Sequence, residues 1–201
     1  MLFTIGYSPF FEIESFIDTL KKSNINFLID IRTFPYSKTF PVYDYENLNQ
    51  TLKKENIKHT FLGDYIGGLT VKKRVREGVS KLEDLLDVQK FREGMNKLFK
   101  ISKENKVAVM CAEKDPMDCH RFLAVGSLME KVAKVEVFNI VGENIESFSD
   151  TINRWKNENN LELLEYSNEK IILERLILLY KLQNKKEERE IKFPKTKVLF
   201  E

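Results

Sequence analysis

Five short apolar runs, each halted by glycine, proline or a polar cluster, alternate with segments of helical periodicity, and that alternation most narrows what the chain can fold into. "LFTI" (2 to 5) stops at Gly6, and "NFLIDI" (26 to 31) stops at "RTFPYS". Between them Phe10, Ile13, Phe16, Ile17 and Leu20 line one helical face, with Ser8 as the expected cap and Pro9 at the first helical position. A short helix over about 45 to 55 precedes "IKHTFLG", a third strand. A helix over about 85 to 103 leads into "KVAVM" (106 to 110), the fourth. A further helix, with Phe122, Leu123, Leu128, Met129 and Val132 inward, leads into "VEVFNI" (135 to 140), the fifth. The pattern predicts an α/β fold, a mostly parallel sheet of about five strands with helices on both faces.

Past Gly142 the pattern changes. Residues from about 145 to 184 read as helix throughout, with "IILERLILLYKLQ" strongly apolar, before the charged tail "NKKEEREIKFPKTKVLFE". The expected organisation is an α/β domain over 1–142 and a helical C-terminal extension over 143–201. Acids and bases are mixed along the extension, which points to packing on the body or on a second copy, a homo-oligomer, rather than on a membrane. No apolar run reaches the length of a membrane span and no basic, apolar leader opens the sequence, so a cytoplasmic protein is expected. A reducing cytosol keeps both cysteines as thiols. The net charge of +2 excludes a strongly basic nucleic-acid binder, so any such surface must be local.

In an open parallel sheet, ligands bind outside the carboxyl ends of the strands. Strand one ends there in "GYS", strand two in Asp30, Arg32, Pro35 and Ser37, and strand four in Cys111 and Glu113, followed by Cys119, His120 and Arg121. Asp30 and Arg32 lie on one strand face and suit either an ion pair or a catalytic role. Asp115 and Pro116 form a helix start, which places Cys119 near the positive end of a dipole that lowers a thiol pKa, while Cys111 ends an apolar strand. Glu113, Asp115 and Asp118 oppose that effect unless arginines neutralise them. The C-x7-C-H spacing is poor for zinc, so no metal is expected. Gly67 and Gly68 make a turn, since neither GxxxxGKS/T nor GxGxxG occurs and no cofactor is called for. His59 reads as a core histidine.

Together "TIGYS", "LIDIRTFPYS", "YIGGL" and "VAVMCAEKDPMDCHR" followed by "VFNI" resemble the domain of unknown function 488 family over about residues 1 to 140. The matching positions are Gly6, Asp30, Arg32, Pro35, Ser37, Gly68, Cys111, Glu113, Cys119, His120 and Arg121. The resemblance implies an α/β fold and a polar site but no established reaction. Such proteins often carry a longer, aromatic-containing insert where this chain has the basic "TVKKRVREGVSKLED".

Two classes of function fit. The first is an enzyme acting on an anionic small molecule or a nucleic-acid component, with Cys119 as nucleophile and Glu113 or Asp30 moving protons. Arg32 and Arg121 would hold the anion, with Ser37, Gly68, Cys111 and His120 beside the substrate. Rhodanese-like sulfur transfer is a special case of it. The second is a non-catalytic nucleic-acid- or nucleotide-binding module using "KKRVR" (72 to 76) and "PKTK" (194 to 197).

Overall fold

The computed structural model describes residues 1–161 and 166–181. Strand β1 (Leu2–Gly6) is followed by α1 (Ile13–Lys22), β2 (Phe27–Asp30), α2 (Tyr45–Lys54) and β3 (Lys58–Phe61). Two helices follow in close succession, α3 (Gly63–Ile66) and α4 (Gly68–Glu77), then α5 (Gln89–Glu104) and β4 (Val107–Cys111). A π-wound segment (Arg121–Gly126) runs into α6 (Ser127–Lys131), and β5 (Val137–Val141), β6 (Asn144–Ser147), α7 (Phe148–Glu158) and α8 (Asn168–Lys181) complete the described order. The strands form one six-stranded sheet in the order β3-β2-β4-β1-β5-β6. β1 to β5 pair in parallel, and only β6 runs antiparallel, against β5.

Both faces of the sheet's centre are covered, which is why β1, β2 and β4 read as apolar runs. Successive side chains of β4 go to opposite layers: Val107 and Val109 join Ile29, Leu98 and Phe122, while Ala108 and Met110 join Phe16, Leu20, Leu28 and Leu48. The register sets Gly6 opposite Cys111 and Asp30 opposite Met110, so the ends of β1, β2 and β4 meet at one edge of the sheet.

Three sequence expectations of the fold need correction. Ser8 and Pro9 do not start the first helix; α1 is capped at Glu12, because the Tyr7 and Ser8 amides donate to the Cys111 and Ala112 carbonyls and the Phe10 amide closes a separate turn back to the Tyr7 carbonyl. Val132 is exposed, since α6 ends at Lys131 and the chain then turns through Lys134 at φ 54°. The segment after Gly142 does not begin as helix. Gly142 at φ 62° and Glu143 turn the chain into β6, a hairpin that pairs Val141 with Asn144. Beyond it come two separate helices rather than one continuous run. Ile152 and Trp155 of α7 and Ile171, Ile172, Leu176 and Tyr180 of α8 lie in the same core as Val109, so the apolar stripe of the C-terminal helices packs on the body. The tail from 184, including "PKTK", lies outside the described residues. No described helix is long and apolar enough to cross a membrane.

Candidate functional site

Asp115 and Pro116 start a helical turn, as expected, but only one: Asp115 Oδ1 accepts from the Met117 amide at 2.7 Å and the turn ends at Asp118. Cys119 is extended, at φ −138° and ψ 139°, and its carbonyl accepts from the Phe122 and Leu123 amides. Cys119 is therefore the cap of the next helix, not a residue inside the first. Its sulfur does what a capping oxygen does, accepting the Arg121 amide at 3.4 Å.

Around that sulfur the fold gathers groups from distant segments. Cys119 Sγ lies 3.0 Å from Glu113 Oε2 and 3.8 Å from His120 Nδ1, and Cys111 Sγ lies 4.0 Å from the same nitrogen. His120 Nε2 sits 3.1 Å from the Ile31 carbonyl, which only accepts, so Nε2 carries a proton and Nδ1 faces the two sulfurs. Burial pushes the Cys119 thiol up, yet the neighbouring Cys111 thiol, the Arg121 guanidinium and His120 outweigh it and hold Cys119 well below the ordinary thiol range. Cys111 is pushed the other way, by Cys119 beside it and by burial. Burial and then the negative charge of Cys119 raise the Glu113 carboxyl, and burial of His120 is overcome by Cys119, which raises the imidazole. The opposite shifts of Cys119 and His120 favour charge separation between sulfur and imidazole, with the Glu113 carboxyl at hydrogen-bond distance from the same sulfur.

Glycine makes the assembly sterically feasible. A Cβ on Gly6 would stand 1.7 Å from the Glu113 carbonyl oxygen, so only glycine lets β1 end against the loop that carries Glu113. The Arg121 guanidinium braces the same loop, donating from Nη1 to the Glu113 carbonyl at 2.7 Å and from Nη2 to the Lys114 carbonyl at 3.0 Å. Asp30 and Arg32 form a fully buried ion pair, Nη2 to Oδ2 at 2.6 Å and Nε to both carboxylate oxygens at 3.0 Å. Burial pushes the Asp30 carboxyl up and Arg32 opposes it, while Asp30 holds the guanidinium charged. Arg32 Nη2 also reaches the Tyr43 carbonyl at 2.7 Å, and Nη1 has no hydrogen-bond partner among the described residues.

A cavity of about 380 Å³ opens on this cluster. Of the residues expected at the site, Arg32, Gly68, Cys111, Glu113, Cys119 and His120 line it. Asp30 and Arg121 stand behind it, both fully buried and committed to Arg32 and to the loop carbonyls. Ser37 is placed away from it, its amide donating to Asp44 Oδ1 and its hydroxyl accepting from the Phe40 amide, so it shapes a turn. Sequence reasoning missed Thr33, Phe34, Tyr36, Leu69 and Tyr180, which also line the cavity, and gave Tyr7 no role; Lys72, named only for the binding-module reading, lines it too. Tyr7 follows Gly6 and Thr33 follows Arg32, so strand-end position was a usable signal for both; Tyr180 lay hidden in an apolar run. A larger cavity of about 600 Å³ beside α1 has no cysteine, histidine or arginine in its wall, and the cluster selects the smaller one.

Cys111 Sγ, Cys119 Sγ and His120 Nδ1 all lie within 4.8 Å of one another, a donor set that a soft divalent cation accepts. The poor spacing in sequence is thus no measure of their separation in space, because a strand end and a helix start bring them together.

Residues 12–128 match the family described as domain of unknown function DUF488. The chain belongs to that family. The match takes in Asp30, Arg32, Gly68 and the whole segment from Cys111 to Arg121, while "TIGYS" and "VFNI" fall outside it. No curated protein and no solved structure matches the chain.

Proposed function

We propose that the protein is an enzyme in which Cys119 attacks an anionic small molecule or nucleic-acid component held by Arg32, with Glu113 moving the proton. One observation carries this: the Cys119 sulfur, 3.0 Å from the Glu113 carboxyl, shares a cavity wall with an arginine whose Nη1 is buried and has no hydrogen-bond partner among the described residues. A buried guanidinium N–H without a partner is costly, and an anion in the cavity satisfies it. The thiolate forms a bond to the electrophilic atom of the substrate, and the leaving group departs with the proton from Glu113. Water then attacks the adduct, Glu113 takes its proton, and the thiolate is released. His120 supplies the positive charge beside the sulfur throughout. A reducing compartment such as the cytosol suits two unpaired thiols at such a site.

The binding-module reading has less support. On α4, Arg74 donates to the Asp84 carbonyl at 3.0 Å and Arg76 to the Tyr180 carbonyl at 3.4 Å, so two cations of "KKRVR" are engaged within the protein. Rhodanese-like transfer calls for a loop of amides around the sulfur, and the Arg121 amide is the one backbone donor that Cys119 Sγ meets among the described residues.

The test compares iodoacetate, an anion, with neutral iodoacetamide at Cys119. Saturable labelling by iodoacetate, competed by inorganic phosphate and lost in Arg32→Gln, is expected. Labelling by iodoacetate that rises linearly with concentration and stays slower than by iodoacetamide, as for a free thiol, sinks the proposal.

A further inference from the structure

The mouth of the cavity is built from the wrong residues for a small inorganic anion. Phe34 is 71% exposed, Tyr36 59% and Leu69 55%, and all three line the cavity that has Arg32 in its wall. Phe34 and Tyr36 sit two and four residues past Arg32 on the loop leaving β2, so one short segment carries both the cation and the rings. Exposed aromatic surface is unfavourable in water, and at the mouth of a polar cavity it offers a platform for a flat ring. We propose that the ligand is a nucleotide, with its base stacked on Phe34 and Tyr36 at the mouth and its phosphate at Arg32 Nη1.

The chemistry of the remaining wall agrees. A base presents a π-face to an aromatic side chain whatever its identity, and its phosphate takes an arginine N–H in a charge-assisted bond. Lys72, which also lines the cavity, adds a second positive charge on the wall, and the Asp118 carboxylate at the rim offers acceptors for sugar hydroxyls. The volume of about 380 Å³ lies within the range of about 300–1,000 Å³ in which small-molecule sites fall. A free mononucleotide and an unpaired nucleotide of a single strand share this chemistry. The inference rests on the reading of Arg32 as the anion's partner and adds the ring at the mouth.

The experiment is isothermal titration calorimetry of the protein with nucleoside 5′-monophosphates, the matching nucleosides, inorganic phosphate and a short single-stranded oligonucleotide. A monophosphate is expected to bind at least about tenfold more tightly than phosphate or nucleoside. Phe34→Ala and Tyr36→Ala, both at exposed positions that leave the core intact, should each weaken the monophosphate by about 5- to 100-fold and leave phosphate binding unchanged. A monophosphate that competes with the oligonucleotide and binds as well identifies the free nucleotide as sufficient; an oligonucleotide at least about tenfold tighter assigns the site to a strand. Monophosphate and phosphate of equal affinity, or no effect of either aromatic substitution, overturns the nucleotide inference and leaves the anion reading standing. Failure of every phosphate-bearing probe to bind, together with unsaturable iodoacetate labelling, overturns both.

Discussion

Replacing His120 by asparagine removes the imidazolium from beside the Cys119 sulfur, and the size of the effect follows from their separation. At 3.8 Å two unit charges attract by about 4 kcal/mol at an effective dielectric of about 20, and by about 1 kcal/mol in a water-like medium. His120 is pushed up by Cys119 and Cys119 is held down in part by His120, so the cation favours the charged thiol and its loss raises the Cys119 pKa. With about 1.4 kcal/mol per factor of ten, the acid dissociation constant of the Cys119 thiol falls between about fivefold and about a thousandfold, and the thiolate fraction follows it wherever the pH lies below the wild-type pKa. The assay is iodoacetamide labelling read at each cysteine by mass spectrometry over a pH series. In the wild type Cys119 should label first, well below the free-thiol value of about 8.5, and Cys111 last. The variant should slow at Cys119 at about pH 6.5 and match the wild type at about pH 10, where both thiols are ionised, which separates a charge effect from a change in access. Equal rates for wild type and variant at about pH 6.5, or Cys111 labelling ahead of Cys119, refutes the reasoning.

His59 is half-buried against Tyr45, its two ring nitrogens are shielded from solvent and have no hydrogen-bond partner among the described residues, and burial lowers it to about 4. Because the unfolded histidine binds its proton first, this group's contribution is full above about pH 6.5 and is lost as pH falls toward about 4. The loss of up to about 3 kcal/mol should show in urea midpoints, and a His59→Phe variant that keeps the same acid slope counts against it. Asp30→Asn leaves Arg32 buried without its counter-charge and should cost about 3–5 kcal/mol by chemical denaturation; a loss under about 1 kcal/mol would show the pair to be dispensable. Gly6→Ala drives a Cβ into the Glu113 carbonyl and should cost about 1–3 kcal/mol and erase the labelling order of the two thiols, whereas unchanged labelling would mean that the loop yields freely. Dilute hydrogen peroxide should oxidise the Cys119 thiol to a sulfenic acid with release of one water, and the Cys111 sulfur should then attack the Cys119 sulfur, expelling the sulfenic hydroxyl with the Cys111 proton as a second water and leaving a disulfide. Intact mass should fall by two hydrogens, and accumulation of the sulfenic acid alone would show that Cys111 does not reach it.

How far the fold was readable depended on which forces were local. Strands β1, β2, β4 and β5 were legible because burial on both faces leaves apolar runs, β3 at the edge because "IKHTFLG" is short and stops at a glycine, and α5 because its sixteen residues repeat that burial at helical period. β6 was not legible: "NIES" is short, polar and at the edge, held by a hairpin through Gly142 rather than by its own pattern. The break at Cys119 was hidden for a related reason, since a residue that ends one turn and caps the next carries the composition of both. Six of the nine expected site residues reached the cavity wall, because strand ends are where a parallel sheet exposes chain. Arg121 fell behind it because a long arginine at a helix start folds back on its own loop, and Thr33, Phe34 and Tyr36 escaped because a loop's direction is set by distant partners such as Asp44 and Tyr43.

Helix α8 closes one side of the cavity. Leu179 and Tyr180 line it, and Arg175 donates to the Met117 carbonyl at 3.0 Å and to Asp118, on the segment just ahead of Cys119. During synthesis the two cysteines therefore leave the ribosome some sixty residues before the wall that shields them. A nascent chain stalled in that interval carries its thiols open to the solvent, and the interval sets how long translation exposes them to oxidants and to stray electrophiles.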